Sequence, residues 1–361
     1  MANPLYDSLF GQHLESKAVF LHLPEKQSVT YADFLRLTAQ YAGAFTEMGL
    51  VVGDRVAVQI EKSPQALAVY AACAQAGLIF LPLNTAYTAD EVTYFIENSG
   101  AGILLGDESK RSVLEPITQS CGTRLETLDA DGTGSFADKA AALPTVFKTV
   151  ARDLEDLAAF LYTSGTTGRS KGAMLTQGNL LSNAQTLQKE WRYTEADILL
   201  HALPIFHTHG LFVASNITLL SGSSMIFLPK FDLDQIIEDL PRATTMMGVP
   251  TFYTRLLGDT RFTKGLTSQM RLFVSGSAPL LSETHVQFEH RTGHHILERY
   301  GMTETNMNTS NPYDGERRAG TVGFARPGVE LKITDSNNGE ALPQGEIGEI
   351  EVRGPNVFKG Y

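Results

Sequence analysis

The sequence predicts an α/β fold: two mostly parallel α/β subdomains followed by a small β-rich module. Three observations carry that prediction. From about Asp54, short β-branched or apolar runs alternate with longer amphipathic stretches. The runs are too short for stable helices, whereas the stretches between them have helical length and a 3.6-residue period, the rhythm of βαβ units. After Asn311 the helical period vanishes, and glycine and proline punctuate text of alternating polarity.

In the first subdomain, expected over residues 1–155, Arg55–Ile60 reads as a strand because its apolar run is short and β-branched. Pro64–Gln75 reads as a helix, Leu78–Leu83 as a strand, Asp90–Asn98 as a helix and Gly102–Leu105 as a strand. Ser120–Pro144, rich in Gly, Asp and Ala, reads as loop. The second subdomain, expected over residues 156–312, opens with a strand at Ala158–Tyr162 and a helix at Asn179–Trp191. Strands are expected at Ile198–Ala202, Ser224–Leu228, Thr244–Val249 and Arg271–Val274. The module, residues 313–361, rests on Gly320–Thr334 and Gly345–Gly354, and the text stops at Phe358–Tyr361, directly after a strand signal, which reads as a cut end.

A length of 361 residues suits two or three domains or subdomains at about 150 each. With 43% hydrophobic and 19% charged residues the chain can bury a sizeable core and is not disordered. A net charge of −11 disfavours nucleic acid and anionic membrane surfaces as partners, so any bound anion needs a local concentration of cations. No stretch approaches the roughly 18 apolar residues of a transmembrane span. Met1–Phe10 lacks the pattern of a secretory signal. Cys73 and Cys121 are too few for a disulfide framework, and Cys73, inside the apolar run Ala66–Ala76, reads as a buried reduced thiol. The expectation is a cytoplasmic protein.

The most informative stretch runs from Thr163 to Gly172, directly after the strand ending at Tyr162. Gly165 and Gly168 let the backbone turn tightly and approach a ligand, and successive N–H groups in such a turn form an anion cup. Thr163, Ser164, Thr166 and Thr167 add hydroxyls, while Arg169 and Lys171 add positive charge. Together these suit a polyphosphate. A glycine follows Lys171, so the spacing is not that of a kinase or GTPase P-loop. The plainer reading is a polar strand-to-helix turn.

This loop resembles the Thr-Ser-Gly-Thr-Thr-Gly signature of the acyl-adenylate-forming superfamily, with Ser170 where the family carries a proline. Arg299–Glu304 resembles its tyrosine-glycine-x-threonine-glutamate motif, and Ser275–Leu280 the segment lining the adenine and acyl pocket. Gly348–Ile350 with Arg353–Pro355 resembles a late Gly-Glu-Leu and Gly-Pro element. The resemblance implies the large N-terminal domain of such an enzyme, with the mobile C-terminal domain absent, and ATP, Mg²⁺ and CoA as cofactors and co-substrates. Thr163, Ser164, Thr166, Thr167 and Lys171 would cradle phosphates, with Gly165, Gly168 and Arg169 in the same loop. Thr303 would hold the α-phosphate, Glu304 with Thr163 the Mg²⁺, and Tyr300 the adenine. Gly276, Ser277, Ala278, Glu298, Gly301 and Met302 complete the implied nucleotide set, and Arg169, Lys171, His207 and Glu304 the catalytic one. The alternative for Thr303–Glu304, read without the resemblance, is a helix N-terminus with an acidic first turn.

Two features bear on the acid. His201, His207 and His209 invite a zinc reading through His-x-His, a structural reading, or, for His207 in Pro204–His207, the family's acyl-pocket gate. Arg299 stands beside the adenylation motif, where relatives that take uncharged acyl tails commonly carry a small or neutral residue. A guanidinium there suits bidentate binding of a second carboxylate, assisted by His207 and Ser277; the alternative is an ion pair with Glu298 or Glu289. The resemblance implies a small dicarboxylic acid, malonate and methylmalonate, converted to its CoA thioester. The alternatives are a ligase for a short or medium monocarboxylic acid and a non-catalytic nucleotide-binding fragment.

Overall fold

The computed structural model describes residues 2–163 and 169–361. Its strands, in chain order, are β1 (Val19–His22), β2 (Ser28–Thr30), β3 (Arg55–Gln59), β4 (Ile79–Pro82), β5 (Ile103–Gly106), β6 (Arg124–Thr127), β7 (Leu157–Thr163) and β8 (Lys171–Thr176). There follow β9 (Ile198–His201), β10 (Ser224–Phe227), β11 (Thr245–Gly248), β12 (Leu272–Ser275), β13 (Leu297–Met302), β14 (Asn306–Ser310), β15 (Phe324–Ala325), β16 (Glu330–Thr334) and β17 (Glu349–Arg353). Six of them form a sheet in the order β6-β5-β3-β4-β7-β8, and nine form a second in the order β15-β14-β13-β12-β11-β9-β10-β1-β2. The central pairs of both sheets are parallel, and antiparallel pairs lie at the edges: β7–β8, β1–β2, β13–β14 and β14–β15. β4, β5, β11 and β12 are buried along their whole length, as expected for parallel strands covered on both faces.

The βαβ text folds as its period demands. Pro64–Ala76 is a helix whose Ser63 Oγ accepts the Ala66 N–H at 3.1 Å and whose Gly77 closes the C-terminus at φ 72°. From Ala66 onward every residue of that helix is buried, so it needs no polar face and is built mostly from alanine. Cys73 lies within it, buried and free, and burial holds its thiol well above the ordinary thiol range. Among the described residues no helix is long and apolar enough to cross a membrane.

The sheets interleave across the boundary expected near residue 155. β7 and β8 close the six-stranded sheet of the first part of the chain, whereas β1 and β2, near the N-terminus, extend the nine-stranded sheet beside β10. A short apolar strand carries no local signal of which sheet it joins; that choice is made by the packing of the crossovers. Within the expected module, β15 pairs with β14 and belongs to the large sheet, and only β16 and β17 form a separate ribbon. Ser120–Pro144 is not all loop: β6 and a helix at Ser135–Ala141 lie in it. The strand is hidden by its polar residues, since buried Glu126 accepts a hydrogen bond from Ser135 Oγ and pairs with Lys139.

The order of the large sheet is pinned at its N-terminal edge by Asp197. Its two oxygens take Arg271 Nε and Nη2 at 2.7 and 2.8 Å, and it also accepts the Thr244 hydroxyl and the Thr194 N–H, tying together the starts of β9, β11 and β12. Burial works against the charge, but these donors outweigh it and hold the carboxyl below the usual range. A depressed carboxyl contributes stability that is present above its unfolded value and is lost as pH falls through the folded one. Asp197→Asn should therefore cost roughly 3 kcal/mol at neutral pH, and the deficit should shrink in acid. Chemical denaturation of both proteins across that range checks it, and an unchanged midpoint would contradict it.

Candidate active site

The carboxyl ends of β9, β11 and β12 converge with β13 around a cavity of about 340 Å³ lined by His207, Thr208, His209, Val249, Ser277, Arg299 and Thr303. Open parallel sheets place their ligand sites at this edge. Arg299 is 4% exposed, and its Nε and Nη2 are buried without a hydrogen-bond partner. Burial pushes the guanidinium down to about 9, Tyr253 opposing and Arg326 reinforcing the shift. Side chains alternate along a strand, so neighbouring Glu298 turns to the opposite face. There it accepts the His285 Nδ1–H at 2.9 Å and the Gly320 N–H at 3.2 Å. Glu289 faces His295 instead. The ion-pair reading of Arg299 therefore fails, and Glu298 is not brought to the cavity.

Gly276 makes room for this arginine: a Cβ there would lie 2.3 Å from Arg299 Cζ. Ser277, next in the chain, adopts φ 68°, a left-handed conformation that costs a non-glycine residue about 1–2 kcal/mol. Its Oγ meets His209 Nδ1 at 3.2 Å. His209 is buried with Nε2 unpartnered, and burial, with Arg299 and His201 adding to it, keeps the ring neutral. The buried Thr208 Oγ1 is likewise unpartnered. Three side chains that line this cavity thus carry buried polar atoms with no hydrogen-bond partner among the described residues. Buried polar atoms are normally satisfied within the protein, so this concentration points to a polar or anionic ligand.

The other half of the site comes from the six-stranded sheet. β7 and β8 are antiparallel with Thr163 opposite Lys171, so the signature stretch joins two strands rather than a strand and a helix. Ser164, Gly165, Thr166, Thr167 and Gly168 lie outside the described residues. Lys171 sits 5.0 Å from the Tyr361 ring centroid and Arg169 5.3 Å from that of Tyr94. Among the described residues neither cation has a carboxylate partner. Thr303–Thr305 is the turn of the β13–β14 hairpin, not a helix N-terminus. Glu304 Oε1 accepts the Thr163 hydroxyl at 3.2 Å and the Tyr361 hydroxyl at 2.9 Å. Thr303 therefore lines the cavity, while Glu304 bonds Thr163 and the Tyr361 whose ring Lys171 approaches. Tyr300 is partly buried beside this turn, and Gly301 and Met302 continue the strand; Ala278 is exposed past Ser277.

The helix Gln177–Glu190 braces the turn. Asn183 Oδ1 accepts the Met307 N–H at 3.1 Å, and Trp191 Nε1 donates to Ser310 Oγ at 3.0 Å. Among the described residues no group of three metal-binding side chains occurs, so the zinc reading of His201, His207 and His209 has no support. His201 is buried away from the cavity, bonded to Lys62, and His207 stands at the rim. Sequence reasoning missed Thr208 and read His209 only through the His-x-His pattern; both line the cavity with a buried, unpartnered atom, and the signal available for Thr208 was its proximity to the Pro204–His207 segment.

The AMP-binding enzyme model matches residues 11–361. The chain belongs to that family. It is similar to a malonate–CoA ligase of Arabidopsis thaliana, 34% identical over 352 residues, which cover 90% of this chain and 56% of that protein. It is also similar to a feruloyl-CoA synthase of an Amycolatopsis species, 33% identical over 340 residues, covering 92% of this chain and 66% of that one. The crystal structure of ATP-bound MatB from Rhodopseudomonas palustris superposes with a TM-score of 0.97 at 54% identity, over 100% of this chain and 72% of MatB. The chain thus spans little more than half the length of the plant relative.

An unpaired buried guanidinium is a stability liability that a ligand would relieve. Without ligand, Arg299→Met should be at least as stable as the parent, by about 1 kcal/mol or more, measured by thermal denaturation. A marked fall in melting temperature would make Arg299 a structural residue.

Proposed function

We propose that this chain supplies the nucleotide and acid sites of an AMP-forming ligase that joins malonate, and methylmalonate, to ATP and passes the acyl group to CoA. The observation that carries the choice of acid is Arg299, buried at the cavity with two nitrogens unsatisfied. A monocarboxylic acid with a neutral tail, including an aromatic one, would leave that charge unpaired after binding. A diacid gives one carboxylate to the guanidinium and keeps the other for reaction.

A free carboxylate is a poor electrophile, because its charge repels nucleophiles and oxide is a hopeless leaving group. Attack of its oxygen on the α-phosphorus of ATP expels pyrophosphate and leaves a mixed anhydride. Its leaving group is now AMP, which the thiol of CoA displaces. The first step brings anions together, so it needs positive charge and in-line alignment. Lys171 and Arg169, uncommitted to carboxylates, suit the phosphates, with Thr163 and the adjoining loop hydroxyls. Thr303 lies where the acid cavity meets the phosphate side, suited to the α-phosphate, with Tyr300 beside it for the adenine. His207 at the rim is suited to gate the acyl group. Glu304 and Thr163 offer one carboxylate and one hydroxyl, an oxygen set that fits Mg²⁺, since that ion takes most of its ligands from phosphate and water. When bound, it supplies charge neutralisation at phosphate oxygens. The unpaired Cys73 and Cys121 fit a reducing, cytoplasmic setting.

Arg299→Ala should weaken malonate roughly tenfold to a hundredfold more than acetate, the span of one charge-assisted hydrogen bond. Calorimetric titration of each acid into the ATP-loaded protein reads this, and equal losses on both acids would remove the diacid argument. Lys171→Ala should weaken ATP binding about tenfold or more. Unchanged nucleotide affinity in that variant would contradict the phosphate role.

A further inference from the structure

Lys62 is a buried amine that the chemistry above does not use. Its Nζ donates to His201 Nδ1 at 3.0 Å and to the His201 carbonyl at 2.8 Å, and lies 4.2 Å from the Phe227 ring centroid. No carboxylate pairs with it among the described residues. The contact is handed on through the ring. His201 Nε2 meets the Gly210 carbonyl at 2.8 Å, and the Ser215 hydroxyl donates to the same oxygen at 2.9 Å.

The direction of these bonds follows from the donors. The Gly210 carbonyl can only accept, so Nε2 carries the proton; in a neutral imidazole Nδ1 is then the acceptor of the Lys62 N–H. Burial, with the Lys62 amine adding to it, keeps His201 neutral well below its ordinary range. Burial also lowers Lys62, but a neutral amine keeps two N–H groups and the Gly210 carbonyl still demands the Nε2 proton, so the arrangement survives loss of its charge. Gly210 is a tight point of the chain: a Cβ there would lie 1.9 Å from the Pro204 carbonyl oxygen. Between Pro204 and Gly210 runs the turn that carries His207, Thr208 and His209 to the acid cavity.

We infer that Lys62 and His201 are positioning residues for the acid: Lys62, donating to Nδ1, holds the Nε2–H ring of His201 in place, which pins the Gly210 carbonyl and so aims the His207–His209 turn into the cavity. The inference rests on reading that cavity as the acid site. It makes a residue remote in sequence, on the segment after β3, responsible for acid affinity while leaving the phosphate side alone.

The test uses the 361-residue chain labelled with ¹⁵N-histidine, and malonate titrated into the ATP-loaded protein. The His201 resonances should report a neutral Nε2–H ring from mildly acidic to mildly alkaline pH. Lys62→Met should weaken malonate about tenfold while ATP affinity stays unchanged, the loss of one buried hydrogen-bond partner. Lys62→Gln, a shorter donor, should recover part of that loss. A proton on Nδ1 or a charged His201 ring would overturn the inference, and the wild-type spectrum decides this even if the methionine variant does not fold. Normal malonate binding by Lys62→Met, or equal weakening of malonate and ATP, would overturn it as well. Wild-type protein that binds ATP but no malonate would instead remove the diacid reading, and with it the positioning role, while leaving the tautomer to be read separately.

Discussion

The site depends on a positive charge that the fold buries and leaves unsatisfied. Removing a guanidinium from water is expensive, and a folded protein ordinarily recovers that cost with a carboxylate or several carbonyls. Arg271 shows the ordinary solution, with both oxygens of Asp197 and two backbone carbonyls around it. Among the described residues Arg299 has neither, although Glu298 is its immediate neighbour in sequence. The alternation of a β-strand prevents that pair from forming, sending the carboxylate to one face of the sheet and the guanidinium to the other. The bare space at Gly276 is what lets the guanidinium stay where it is.

The parallel-sheet core was legible because its signal is local. Short apolar runs set in helical text, such as Arg55–Ile60 followed by the capped helix at Pro64, declare themselves by length and period. The sheet to which a strand belongs is a tertiary choice, so β1–β2 and β7–β8 crossed the boundary that composition suggested. The short edge strand β6 was lost among polar residues whose burial is explained only by partners such as Ser135 and Lys139.

The site divided along the same line. Arg299, Ser277, His207, Lys171 and Glu304 sit in recognisable segments and lie in or beside the crevice. Glu298 was misplaced because adjacency in a motif is not adjacency in space. Thr208 carries no chemistry that marks it in isolation, and His209 is marked only by a metal-like spacing; both become significant through their burial and their unpartnered atoms. Lys62 is further from any motif, and only the path through His201 to Gly210 gives it a role.

The two halves of the crevice grow from different sheets. Cations and hydroxyls that suit phosphate hang on the β7–β8 hairpin, whereas the acid cavity is walled by the tips of β9, β11, β12 and β13. On the proposed function, selection can therefore retune one half without disturbing the other: exchanging a few side chains at the larger sheet's rim would redirect the scaffold to a different carboxylic acid and preserve its purchase on the energy donor.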